Sequence, residues 1–112
     1  MKTFITLFFI MLISSYSYAE RISNESVVDS CTAIENMAET IMDRRQSGVK
    51  MSILMDIAKE SKDKSLSRII TSLIIEAYEK PRYNTEKHKR RVIEDFRNNA
   101  FLNCYKDIVI DK

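Results

Sequence analysis

Two residues punctuate this chain: Gly48, its only glycine, and Pro81, its only proline, in 112 residues. So few chain-breakers argue against a turn-rich all-β sandwich or barrel, which needs a turn every 8–12 residues or so. The intervals between them carry apolar residues at helical spacing. Val27, Cys31, Ile34, Ala38 and Ile41 step by 4, 3, 4 and 3, a single stripe on one helix face. Asn24 or Ser26 suits the N-cap of this first helix, Arg44 and Arg45 suit its C-terminal turn, and Gly48 its C-cap.

A second helix is expected over Val49 to about Lys59. Met51, Leu54, Met55 and Ala58 form one row, and Ile53 and Ile57 a second. Apolar residues on more than one face mean a helix sandwiched between neighbours, the expected case, or one that leaves surface for a partner. Glu60 to Ser65 reads as a polar connection. A third helix then runs from Ser65 or Leu66 to Tyr78, with Leu66, Ile69, Ile70, Leu73, Ile74 and Ala77 on one face. Pro81 stops it and holds Lys80 extended. Thr85 caps a fourth helix, Glu86 to about Tyr105, with Val92, Phe96, Ala100 and Cys104 four apart. The tail containing Ile108, Val109 and Ile110 is compatible with a helical turn or an extended segment.

The first 19 residues read as a cleavable export signal. Lys2 is the basic start, Phe4 to Ile13 the short apolar core, and Ser17 and Ala19 the small residues before cleavage. About ten apolar residues are too few to span a hydrocarbon core as a helix. Residues 20–112 are expected to form one helical domain, periplasmic or secreted, with no stable membrane insertion after cleavage. In an oxidising compartment the only two cysteines, Cys31 and Cys104, form one disulfide. Each lies on the apolar stripe of its helix, near one end. The sulfurs can meet if helix four runs antiparallel to helix one. The expected fold is therefore all-α, a small four-helix bundle or orthogonal helical array closed by Cys31–Cys104.

Charge narrows the function classes. With 18 bases and 16 acids the net charge is +2, or +1 once Lys2 leaves, which gives no general drive toward nucleic acid. The distribution is uneven, net −3 over Glu20 to Glu79 and net +4 over Lys80 to Lys112. No GxSxG, zinc, haem or nucleotide motif is present, so no metal or cofactor is expected. His88, the only histidine, lies among bases and reads as a solvated surface residue. The carboxylate pairs Glu35–Glu39 and Glu94–Asp95 lack the ExxH partner of a bundle metal site. An enzyme is not expected.

The densest interaction signal is Lys80 to Arg97, with seven bases and three acids. Charged residues four apart (Glu86–Arg90, Arg90–Glu94, Arg91–Asp95) can compensate one another along the helix. Arg82 and Tyr83 are not explained that way, and both are types favoured at binding hot spots. They lead the candidates for a protein partner, with Arg91; Arg44, Arg45 and Gln46 form a second group.

The run AYEKPRYNTEKHKRRVIEDFRNNAFLNC, with the upstream cysteine and the RRQSG turn, resembles uncharacterised small secreted proteins of bacterial and prophage genomes. That resemblance implies no established activity. In architecture alone the chain is similar to periplasmic acid-stress chaperones of the HdeA type, without their motifs. The expected function is a small exported binding protein of the envelope, such as an inhibitor or immunity protein that neutralises a secreted enzyme or toxin. The alternatives are an accessory subunit of an envelope or phage-encoded assembly, and a chaperone opened by acid through repulsion among its bases. Neither the partner's identity nor the oligomeric state is encoded legibly.

Overall fold

A computed structural model describes residues 26–110. The expected signal segment and the alternative N-cap Asn24 lie outside them. Among the described residues there are four helices and no strand: α1 over 26–46, α2 Met51–Lys59, α3 Lys64–Glu79 and α4 Glu86–Ile110. By its contacts the chain divides into Met1–Ser30 and Cys31–Lys112. The described part of the first unit is a helical turn in which the Ser30 hydroxyl donates to the Ser26 carbonyl.

The second unit holds the core. Ala38, Ile41 and Met42 of α1 cluster with Leu54 and Ala58 of α2, Leu73, Ile74 and Ala77 of α3, and Phe96 and Ala100 of α4. All but Met42 are stripe positions expected from the spacing; Met42, beside Ile41, is fully buried although the stripe omits it, and Ile69 of the α3 stripe is exposed. Contacts between α1 and α4 fix their direction. Cys31 is bonded to Cys104, with Cα atoms 5.6 Å apart, and Arg97 lies against Glu35 and Glu39. Ascending numbers on α1 meet descending numbers on α4, so the two helices are antiparallel and the disulfide closes the fold as expected. Helices α2 and α3 pack as a hairpin, with the Ser67 hydroxyl donating to the Ala58 carbonyl at 3.0 Å.

Two boundaries and the burial of one helix differ from expectation. Helix α3 starts at Lys64 because Asp63, inside the polar connection, is its N-cap: its carboxylate accepts from the Ser65 and Leu66 amides at 2.9 and 3.3 Å. Helix α4 continues through the tail to Ile110, and Ile108 lines one depression together with Ile34 and Ile69. Cys104 consequently lies well inside α4 rather than in its last turn. Lastly, α2 is not sandwiched. Leu54 and Ala58 are buried, but Ile53 and Ile57 are 50% and 59% exposed, because α1 and α3 cover only one side of a nine-residue helix.

Candidate functional site

The most informative region is the end of the bundle where the α1–α2 turn meets the α3–α4 linker. Helix α1 ends in a Schellman motif. The Val49 amide donates to the Arg44 carbonyl at 3.0 Å and the Gly48 amide to the Arg45 carbonyl at 3.1 Å, with Gly48 at φ +87°. That left-handed conformation is why the glycine stands there. Behind it, Pro81 ends α3 as expected, with Lys80 extended at φ −80°, ψ 144°.

Four side chains join the two loops. Gln46 is only 2% exposed. Its amide nitrogen donates to the Pro81 carbonyl at 3.0 Å, and its amide oxygen accepts from the Tyr83 amide at 2.9 Å. Arg45 donates from Nε and Nη2 to the Lys80 carbonyl at 3.3 and 3.1 Å, with its guanidinium 4.9 Å from the centre of the Tyr78 ring. Arg82 returns the contact, Nε donating to the Gln46 carbonyl at 3.1 Å. Its guanidinium lies over Gly48. The Tyr78 hydroxyl donates to the Val49 carbonyl. Burial raises the Tyr78 phenol pKa above its ordinary value, and the Arg45 charge partly offsets that.

Helix α4 completes this end. Thr85 caps it, its hydroxyl accepting from the His88 amide at 3.3 Å. The His88 ring is exposed and stacked on Tyr83, with centroids 5.9 Å apart. Among the described residues none of the expected pairs along α4, Glu86–Arg90, Arg90–Glu94 or Arg91–Asp95, forms an ion pair. Glu86 approaches Lys89 at 3.9 Å instead of Arg90, so Lys87, Arg90 and Arg91 stand exposed around a shallow depression with Glu94. A groove of about 690 Å³ between α1 and α4 is lined by Arg44, Lys89 and Arg90 toward this end and by Arg97 further along.

The five sequence candidates therefore differ in situation. Arg44, Arg45, Arg82 and Tyr83 converge on the two joined loops, and Arg91 lies beyond them on α4. Arg45 and Arg82 hold loop carbonyls as well as presenting charge, whereas Arg44 and Arg91 are exposed. Arg97 was not singled out, yet it faces Glu35 Oε1 at 3.3 Å and Glu39 Oε2 at 3.4 Å. The signal was available: with Cys31 paired to Cys104, an antiparallel register carries residues 35–39 toward 97. That pair of carboxylates thus has a cation partner. No group of three or more His, Cys, Asp or Glu among the described residues is arranged to hold a metal ion. No described helix is long and apolar enough to cross a membrane. Comparison with protein-family models, with curated proteins and with solved structures returned no match to this chain.

Proposed function

We propose that this chain is a small exported binding protein of the bacterial envelope, periplasmic or secreted, which neutralises a secreted enzyme or toxin by covering it. The observation that carries the reading is the convergence of Arg45, Arg82 and Tyr83 on two loops cross-tied by Gln46, with Arg44 exposed beside them in the last turn of α1. Arginine and tyrosine held on a rigid frame bind with little loss of side-chain freedom. A disulfide-closed scaffold of this size and the resemblance to small secreted proteins fit the same reading.

The test is affinity capture by the tagged, oxidised protein from envelope and secreted fractions, in parallel with an Arg44→Glu/Arg91→Glu variant. Both positions are exposed, so the substitutions leave the loop ties intact. One stoichiometric partner retained by the parent and lost by the variant is the expected result. Equal retention by both sinks the assignment of the surface. A second reading, an accessory subunit of an envelope or phage-encoded assembly, draws on the exposed Ile53 and Ile57 row. It predicts that Ile53→Ser/Ile57→Ser, rather than the arginine changes, abolishes capture.

A further inference from the structure

The charge of this molecule is polarised by its fold more than its sequence order suggests. Residues 43–50 and 79–91, which the loop ties and the α1–α4 groove bring to one end, carry nine bases against three acids. That is +6 in a chain whose total is +2, so all remaining residues sum to −4. Arg44, Lys87, Arg90 and Arg91 are exposed, and Arg45 and Arg82 are held in fixed orientation by the carbonyls of Lys80 and Gln46.

We propose that this cationic end docks a carboxylate-rich protein surface, so that the partner is acidic where it is covered; this rests on the binding-protein reading above. Five of the nine bases are arginine, whose planar fork matches the oxygens of carboxylates and phosphates alike. One observation selects a protein over a lipid surface or a nucleic acid. Asp43, Glu79 and Glu86 are interspersed among the bases, with Asp43 3.9 Å from Arg44 and Glu86 3.9 Å from Lys89, and Glu94 shares a depression with Lys87, Arg90 and Arg91. A uniformly anionic bilayer or phosphate backbone repels those carboxylates, whereas a protein surface can set its own cations opposite them. Opposite polarity of patch and remainder also orients the encounter, which speeds association and makes it steeply salt-dependent.

The test uses labelled poly-L-glutamate as a carboxylate probe of the oxidised full chain, read by fluorescence anisotropy at low and at physiological ionic strength. Two triple variants carry equal net charge: Arg44→Glu/Arg90→Glu/Arg91→Glu at the cationic end, and Lys59→Glu/Lys62→Glu/Lys106→Glu away from it. Circular dichroism confirms that both are folded, and Arg→Gln versions of the first replace it if reversal unfolds the chain. The inference expects about a tenfold or greater loss of affinity in the first variant and a far smaller change in the second. Equal losses in both make the effect one of net charge and overturn the inference. So does tighter, arginine-dependent binding to phosphatidylglycerol vesicles or to a DNA oligonucleotide. Cross-links from a captured enzyme or toxin to a non-acidic face overturn this inference alone and leave the binding-protein reading standing. Patch-specific polyglutamate binding with no enzyme or toxin captured upholds the carboxylate chemistry while that reading fails.

Discussion

Substituting Gly48 by alanine tests the loop junction at its tightest point. Two costs arise, and the structure separates them. The first is local: at φ +87° an alanine is in the left-handed region, which costs about 1–2 kcal/mol, partly offset by the smaller entropy of the unfolded alanine chain. The second is long-range. A Cβ at this position lies 2.9 Å from both Cζ and Nη2 of Arg82 and 3.1 Å from Nη1, so the guanidinium has to leave. With it goes the Arg82 hydrogen bond to the Gln46 carbonyl, for about 0.5–1.5 kcal/mol. Gly48→Ala should therefore destabilise the oxidised protein by roughly 1.5–2.5 kcal/mol, read from the midpoint of urea unfolding at constant slope. In an Arg82→Ala background only the backbone cost remains, so the two changes should be less than additive, with a coupling energy of about 1 kcal/mol. Additivity within about 0.3 kcal/mol would refute the reasoning, because it means Arg82 does not occupy the space above Gly48.

Breaking the disulfide as Cys31→Ser/Cys104→Ser opens a loop closed over 73 residues, and unfolding midpoints should report a loss of about 4 kcal/mol. Phe96→Ala, at a buried position between core residues of the other helices, should cost about 3–5 kcal/mol, seen as a lower melting temperature with retained helicity. Tyr78 gives a pH signature. Its folded pKa is raised, so the folded state keeps a proton that the unfolded state releases near pH 10 or so. The contribution is complete below that pH and is lost as pH rises through the folded value. Stability of the parent should fall on this account in alkali. In Tyr78→Phe that component should vanish, while the lost bond to Val49 lowers stability at neutral pH.

Much of the fold was readable because period and punctuation agree. The stripe through Ala38 and Ile41, the cap at Gly48, the stop at Pro81 and the pairing of Cys31 with Cys104 each rest on local rules or on arithmetic. The failures are instructive. Ile53 and Ile57 were expected inside because a short apolar helix usually needs all its apolar surface, yet a nine-residue helix touching two neighbours buries one side. Ile108, Val109 and Ile110 have no period to read, and α4 runs on through all three. At the candidate site Arg82 and Tyr83 stand out because they lie in the linker after Pro81, outside the charge pairing along helix four. Their partners could not be read, since Gln46 lies more than 30 residues upstream and becomes buried only when the linker closes over it.

The molecule is fastened at two places that do different work. Cys31 lies fourteen residues before Arg45 on one straight helix, which puts the disulfide about 21 Å from the loop junction. Between them stand the core and the Arg97 contacts with Glu35 and Glu39. The disulfide acts mainly on the unfolded chain, by restricting it, and does not touch the cationic end. The loop ties do the reverse: each bond is worth little to stability, but together they fix where Arg45 and Arg82 point. Stability and recognition should therefore separate. Reduced protein, kept cool enough to remain helical, should bind the carboxylate probe as the oxidised form does while unfolding at much lower urea. Gly48→Ala should lose less stability than the disulfide variant, the roughly 1.5–2.5 kcal/mol worked out above, yet bind more weakly, because Arg82 has been displaced. If reduction weakens binding in protein that is still fully helical, the two ends are mechanically coupled through α1 and the division of labour argued here is wrong.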